Sequence, residues 1–192
     1  MPIRTGLDER MKSIQQDLRE YFEEAKDVYS DAIDAFTKLD REVYSEAKKV
    51  RAKAREVNWD LTNNLLLILS LNQPLMKDLR IVATYLRAVD TVERLIRHAR
   101  DIARSDRSLD ENADQLPSDI VDPVRSMHGS LNALIDITIE CLTNGGEVPA
   151  DEVREHWTAV KTSHAEAVAA LSILKSDTLG GKAMRLLSLI HI

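Results

Sequence analysis

Five histidines and one cysteine are the side chains best suited to metal binding or catalysis, and their spacing favours neither. The histidines are His98, His128, His156, His164 and His191. None follows a glutamate by three residues, as the ligands of di-iron helical bundles do. His156 and His164 are eight residues apart, which is too far along a helix for them to share one metal ion by themselves. We therefore expect solvated or half-buried histidines, and we expect Cys141 to fill space among apolar neighbours.

Carboxylates and arginines meet in the segment "NQPLMKDLRIVATYLRAVDTVERLIRHARDIA", residues 72–103. Its apolar residues recur at helical spacing, at Leu75, Leu79, Val82, Leu86 and Val89. The next position of that seam is Glu93, and Arg97 follows one turn later. Asp90 and Glu93 are weak candidates for metal ligands. Glu93 stands four residues before Arg97, a spacing that favours an ion pair within the helix over binding of a metal ion. We expect a salt-bridged face here rather than a metal site.

The composition excludes several classes of protein. A formal net charge of −6 argues against a nucleic-acid partner, which requires a basic surface. A single cysteine excludes an intrachain disulfide and suits a reducing compartment. The longest apolar run, "LLLILSL" at 65–71, is too short to span a bilayer, and the N-terminus lacks the core of a signal peptide. We expect a cytoplasmic protein without direct membrane insertion.

Helical periodicity runs through nearly the whole chain and predicts an all-α fold. The predicted helices cover residues 7–39, 40–71, 74–105, 119–143 and 149–175, and a sixth begins near residue 182. Pro74 ends the second helix and fits the first turn of the third. Trp59 and Trp157 are expected to pack between helices.

Long helices joined by short turns pack antiparallel, so the pattern predicts two three-helix-bundle repeats. The first repeat covers residues 1–106, a polar linker covers 107–118, and the second repeat covers 119–192. The third helix of the second repeat is expected to be incomplete, with the last helix cut short.

The third helix also resembles the signature of the PhoU family of phosphate-signalling regulators. The matching residues are Gln73, Pro74, Asp78, Leu79, Arg80, Glu93, Arg94, His98 and Ala99. The resemblance is specific over about residues 25–103, while the second half is similar only in the lengths and pattern of its helices. It implies a PhoU-like fold of two helical repeats, and it makes Pro74, Asp78, Arg80, Glu93, Arg94 and His98 the family-motif residues.

This resemblance implies regulation of phosphate uptake and of phosphate-starvation signalling. Family members are cytoplasmic adaptors that link the ATPase subunit of a phosphate ABC transporter to a sensor histidine kinase. No enzymatic activity is expected. A homodimer is possible.

Some family members bind iron or zinc through a Glu/Asp-x-x-x-Asp motif on the third helix, and this sequence departs from that motif. Arg97 stands where the second carboxylate belongs, and Arg51, Asn58 and Thr62 occupy acidic family positions on the second helix. We therefore expect no metal and no cofactor, with the charge of Arg97 replacing that of the ion; iron or zinc is implied by the resemblance alone.

Two other functions remain open from the residues. One is a metal-binding helical bundle, which requires inward carboxylates on several helices. The other is an accessory or interaction domain associated with another phosphate transporter.

Overall fold

Five long α-helices make up the computed structural model, which describes residues 2–38, 43–106 and 117–173. The helices are α1 (Pro2–Lys38), α2 (Val43–Asn72), α3 (Lys77–Asp106), α4 (Ser118–Asn144) and α5 (Ala150–Ile173). The described residues contain no β-strand, which confirms the all-α prediction. The predicted sixth helix and nearly all of the predicted linker, except residues 117 and 118, lie outside the described residues; residue 118 is the first residue of α4.

The first three helices pack antiparallel around one apolar core. Tyr21 on α1 donates a hydrogen bond from its hydroxyl to the carbonyl of Ala54 on α2, at 3.0 Å. Lys53 pairs with Glu24 across the same two helices at 2.7 Å. Arg10, near the start of α1, and Leu71, near the end of α2, line one groove, as an antiparallel pair requires.

The turn between α2 and α3 consists of four residues, 73–76, whereas the predicted helix limits left only two residues between these helices. Pro74 is buried and lies in the turn, because α3 begins only at Lys77, so the expectation that Pro74 opens the helix is wrong. Gln73 and Met76 adopt positive φ angles of 43° and 50°. The turn must reverse the chain within four residues, and two left-handed residues accomplish this. The N–H of Asp78, in the first turn of α3, donates to the carbonyl of Leu75 at 3.2 Å.

The buried face of α3 is offset from the seam that we predicted. Leu75 and Leu79 are 77% and 47% exposed. Leu75 precedes the helix, so helical spacing does not determine its direction. The buried residues lie on two neighbouring stripes, Val82, Val89, Ile96 and Ala103 on one and Tyr85, Val92 and Ala99 on the other. Leu79, Leu86, Glu93 and Arg100 follow one another every seven residues along the edge of this face, so Glu93 lies beside the core and not within it.

A second core forms where α4 and α5 join the C-terminal half of α1. Its largest buried members are Phe36 and Ile33 on α1, Met127 and Ile120 on α4, and Ile102 on α3. Ala167 and Leu171 of α5 close this core from the far side. α4 therefore packs directly on α1.

Candidate functional site: the charged α2–α3 face and the apolar end of the bundle

Glu93 forms an ion pair with a residue of the neighbouring helix. Its Oε1 lies 3.6 Å from Nη2 of Arg51 on α2, and the two side chains are 20% and 12% exposed. Arg97 forms no ion pair with Glu93 in the part of the chain that the structure describes. The cation that faces Glu93 thus comes from α2 and not from Arg97.

Three further arginines lie around this pair, Arg55 on α2 and Arg97 and Arg100 on α3. Burial lowers the pKa of Arg51, and the positive charge of Arg100 lowers it further. Glu93 opposes this shift, whereas Arg55 and Arg97 add to it. The Nη1 atom of Arg51 is buried without a hydrogen-bond partner among the described residues. We call Arg51, Arg55, Arg97 and Arg100 the arginine cluster.

The residues around Glu93 do not fit an iron or zinc ion. Such ions take several carboxylate, imidazole or thiolate ligands that converge on one point. Glu93 faces a guanidinium, which donates hydrogen bonds and cannot coordinate a cation. Asp90, the other weak candidate, is exposed on the same helix. Over the described residues, no group of three or more His, Cys, Asp or Glu side chains is arranged to hold a metal ion.

The family-motif residues fall in two separate places. Pro74, Asp78 and Arg80 lie at the α2–α3 turn, whereas Arg94 and His98 lie on α3 some 14 or more residues later. That separation corresponds to roughly 20 Å along a helix axis. The motif residues therefore do not form one site.

His98 is the motif residue with the most unusual surroundings. It is half-buried, and its Nδ1 has no hydrogen-bond partner in the described part of the chain. Burial lowers its pKa, and the neighbouring Arg97 and Arg94 lower it further. His98 is therefore neutral at physiological pH and contributes no charge to the arginine cluster.

Exposed apolar side chains gather at one end of the first three helices. Ten large hydrophobic residues are exposed in the described chain, and seven of them lie between positions 59 and 79. Six of these seven lie close to that end, and we call them the apolar end: Leu66, Leu67, Leu71, Leu75, Met76 and Leu79. Trp59 lies about 20 Å before the end of α2. Clusters of this kind on soluble proteins mark interaction surfaces.

The apolar end does not follow from the sequence pattern. The run "LLLILSL" indicates only a segment too short for a membrane, and the prediction that Trp59 and Trp157 pack between helices is wrong. Trp59 is 67% exposed and Trp157 is 43% exposed. The available signal was that leucines in residues 65–71 occupy more than one face of α2, which a single core cannot bury. No described helix is both long enough and apolar enough to cross a membrane.

A groove of about 630 Å³ runs between α1 and α2. Its acidic lining residues are Asp17, Glu20, Glu24, Asp27 and Asp60, and its apolar floor includes Tyr21, Val57 and Leu61. Burial raises the pKa of Asp17, and the charge of Glu20 raises it further. A smaller groove of about 360 Å³ shares Asp17 and Asn64 with it and extends to Leu67 and Leu71. The acidic groove thus leads into the apolar end.

A polar network joins the C-terminal half of α1 to α4. The Nε2 atom of His128 lies 3.1 Å from the hydroxyl of Ser30 and 3.0 Å from the amide nitrogen of Asn132. The rings of Tyr29 and His128 are 5.8 Å apart. Burial lowers the pKa of His128, Asp34 raises it, and Lys26 lowers it.

Residues 18–105 match the family model described as PhoU domain. This match covers residues 18–38 of α1, all of α2 and all but the last residue of α3, and it confirms the resemblance seen in the sequence. No curated protein matches the chain.

Proposed function

We propose that this chain, whose residues 18–105 form a PhoU domain, is a regulatory adaptor of phosphate uptake. In this role it binds the ATPase subunit of a phosphate ABC transporter in the cytoplasm and couples that transporter to a sensor histidine kinase. The match to the PhoU domain carries the proposal, since it associates the chain with the regulation of phosphate transport through a family that is not enzymatic.

The apolar end supports the proposal because an adaptor requires a surface that another protein can cover. All six of its residues lie inside the segment that matches the PhoU domain. Hydrophobic side chains that are half or more exposed, such as Leu67 and Leu71, lose unfavourable contact with water when a partner buries them. We place the contact with the ATPase subunit at this end.

A binding measurement with matched variants tests the proposal. The purified chain is titrated against the ATPase subunit of the phosphate transporter from the same genome. The substitutions Leu67→Glu and Leu71→Glu together should weaken binding at least tenfold, because two charges would be buried without partners. Val148→Glu, a matched control at a 61% exposed position between α4 and α5, should leave binding unchanged. Binding that is equally strong in all variants would contradict the placement of the contact, and no binding by the parent chain would contradict the adaptor role.

Gene expression tests the proposed coupling to a sensor histidine kinase. Deletion of the gene should switch on phosphate-starvation genes in cells grown with ample phosphate. An unchanged expression profile would argue for the alternative, an accessory domain that serves a transporter without reporting to a kinase. Binding to a different phosphate permease in the same titration would support that alternative directly.

A further inference from the structure

The arginine cluster is a region of concentrated positive charge on an acidic protein. Arg51 and Arg55 are four residues apart on α2, and Arg97 and Arg100 are three residues apart on α3, so each pair shares one helix face. Arg55, Arg97 and Arg100 each act on the charge of Arg51, so the three of them lie around this partly buried guanidinium group. The chain as a whole carries a formal charge of −6. Like charges of this density are unfavourable unless something of opposite charge accompanies them.

The carboxylates present do not neutralise this cluster. Glu93 approaches Arg51 to 3.6 Å, which is longer than a hydrogen bond. Arg100 donates from Nε to its sequence neighbour Asp101 at 2.8 Å. Counting these two carboxylates against four arginines leaves two positive charges in excess, and the Nη1 atom of Arg51 still lacks a hydrogen-bond partner within the described residues.

We propose that the arginine cluster binds a small oxyanion of the phosphate type. Guanidinium groups donate two parallel hydrogen bonds to tetrahedral oxyanions, and several of them together supply the charge that such an ion requires. Arg97 and Arg55 supply the outer N–H donors. Arg51 provides a fixed positive charge beneath them, because burial restricts its side chain. The Nη1 atom of Arg51 is buried. An anion can therefore contact that atom only after the side chains of Arg55 and Arg97 change conformation.

The surroundings of the cluster favour a small ion over a polyanion. Glu93 borders the cluster, and the acidic groove lies between α1 and α2 on the same bundle. A nucleic acid or an anionic membrane would extend across these carboxylates and be repelled. A single phosphate group is small enough to contact the guanidinium groups without extending across these carboxylates.

This site is independent of the adaptor role. Anion binding is measured on the isolated chain, whereas the adaptor role is measured with its partner. Failure of one experiment therefore leaves the other intact.

Thermal unfolding and calorimetric titration at constant ionic strength test the site. Inorganic phosphate should bind saturably and raise the melting temperature, whereas chloride at equal ionic strength should not. Sulfate and pyrophosphate serve as further probes: binding of sulfate equal to that of phosphate would indicate a site for tetrahedral oxyanions in general, and tighter binding of pyrophosphate would indicate a phosphorylated ligand. Either pattern supports the proposal. The absence of a phosphate effect beyond that of chloride would overturn it.

Variants connect the effect to these residues. Arg97→Gln should weaken phosphate binding about tenfold, which corresponds to the loss of one charge-assisted hydrogen bond. Arg94→Gln is the matched control, since Arg94 is exposed on the same helix and is absent from the charges that act on Arg51. Equal weakening by both substitutions would show a general charge effect and refute the site. Glu93→Gln should strengthen binding, because it removes the carboxylate that competes for Arg51.

Discussion

Glu93 pairs with a guanidinium group of the neighbouring helix and not with the arginine one turn later on its own helix. The resemblance to the PhoU family implied that a carboxylate at this position could belong to a metal motif. Here it lies at the edge of the core and faces Arg51, which is itself only 12% exposed. Both side chains are largely shielded from water, so each stabilises the charge of the other. Because further arginines lie nearby, Glu93 should contribute more to the free energy of unfolding than Arg51 does.

This imbalance predicts unequal effects of removing either partner. Glu93→Gln should lower the free energy of unfolding by about 1–3 kcal/mol, because it leaves Arg51 buried among like charges. Arg51→Met should cost less, since Arg97 and Arg100 remain near Glu93 and one source of repulsion disappears. Urea unfolding at neutral pH measures both values.

The double variant Arg51→Met/Glu93→Met completes this test. Replacement of both charges by apolar groups should be close to neutral, so the two single effects should not add. Glu147→Gln at an exposed position is the control and should change stability by less than about 0.5 kcal/mol. A larger loss for Arg51→Met than for Glu93→Gln would contradict this account of the cluster.

At the scale of the elements, the turn between α2 and α3 decides where the apolar end lies. Gln73 and Met76 hold left-handed conformations that side chains with a Cβ adopt at a cost of about 1–2 kcal/mol per residue. The turn directs Leu75 and Met76 outward, next to Leu71 at the end of α2. The same turn buries Pro74, and this burial gives the proline of the family motif a structural role.

Gln73→Gly should therefore stabilise the protein. Glycine adopts a φ of 43° without strain, so relief of strain should exceed the added entropy of the unfolded chain by up to about 1 kcal/mol. Gln73 is exposed, so the substitution removes no packing. The shift in melting temperature measures the effect.

The control for this substitution is glycine at an exposed position inside a helix. Arg87→Gly in α3 should cost about 1 kcal/mol, because glycine is a poor helix former. If both glycines destabilise equally, the turn does not carry the strain that its φ angles indicate.

The element boundaries themselves were largely predictable. Periodicity placed the first five helices within a few residues of their observed limits, except that α1 extends to Pro2 and α3 begins at Lys77. The exceptions have a physical cause. Helix ends depend on local hydrogen bonds, such as the one between the Asp78 N–H and the Leu75 carbonyl, and not on apolar spacing.

At the scale of the whole molecule, α4 is attached to the first bundle through both apolar and polar contacts. Phe36 on α1 packs in the same core as Met127 on α4. Tyr85 on α3 donates a hydrogen bond from its hydroxyl to the carbonyl of Leu142 at 3.1 Å. Since His128 lies in this interface, its protonation affects how firmly α4 is held.

Stability should fall as pH drops below about 6.5, the ordinary pKa of histidine. Burial lowers the pKa of His128 in the folded protein, so the unfolded chain binds protons first. His98 is shifted in the same direction. The contribution of both groups is complete above the unfolded pKa and is lost as pH falls from there toward the folded value.

Unfolding in urea at pH 7.5 and pH 5.5 measures this loss. His128→Gln should cost about 1 kcal/mol at pH 7.5 through lost hydrogen bonds, and it should reduce the decrease in stability between the two pH values. His156→Gln is the control, because His156 pairs only loosely with Glu152 at 4.0 Å. A protein that becomes more stable on acidification over this range would contradict the direction of both pKa shifts.

The sequence by itself determined the all-helical fold, the antiparallel order of the first three helices and the match of residues 18–105 to the PhoU domain. These features follow from residues that are near one another in the sequence. The residues are apolar side chains every three or four positions, a proline between two helices, and a motif within one helix. Each can be recognised without knowing which helices are neighbours.

Only the tertiary structure decided which side chains face each other. It placed Arg51 opposite Glu93, left the leucines of α2 uncovered and attached α4 to α1 through His128. The physical reason is that the rotation of each helix about its axis sets these pairings. That rotation is fixed by packing against the other helices. A rotation that moves the buried stripe by one residue changes whether a charged side chain lies in the core or at its edge.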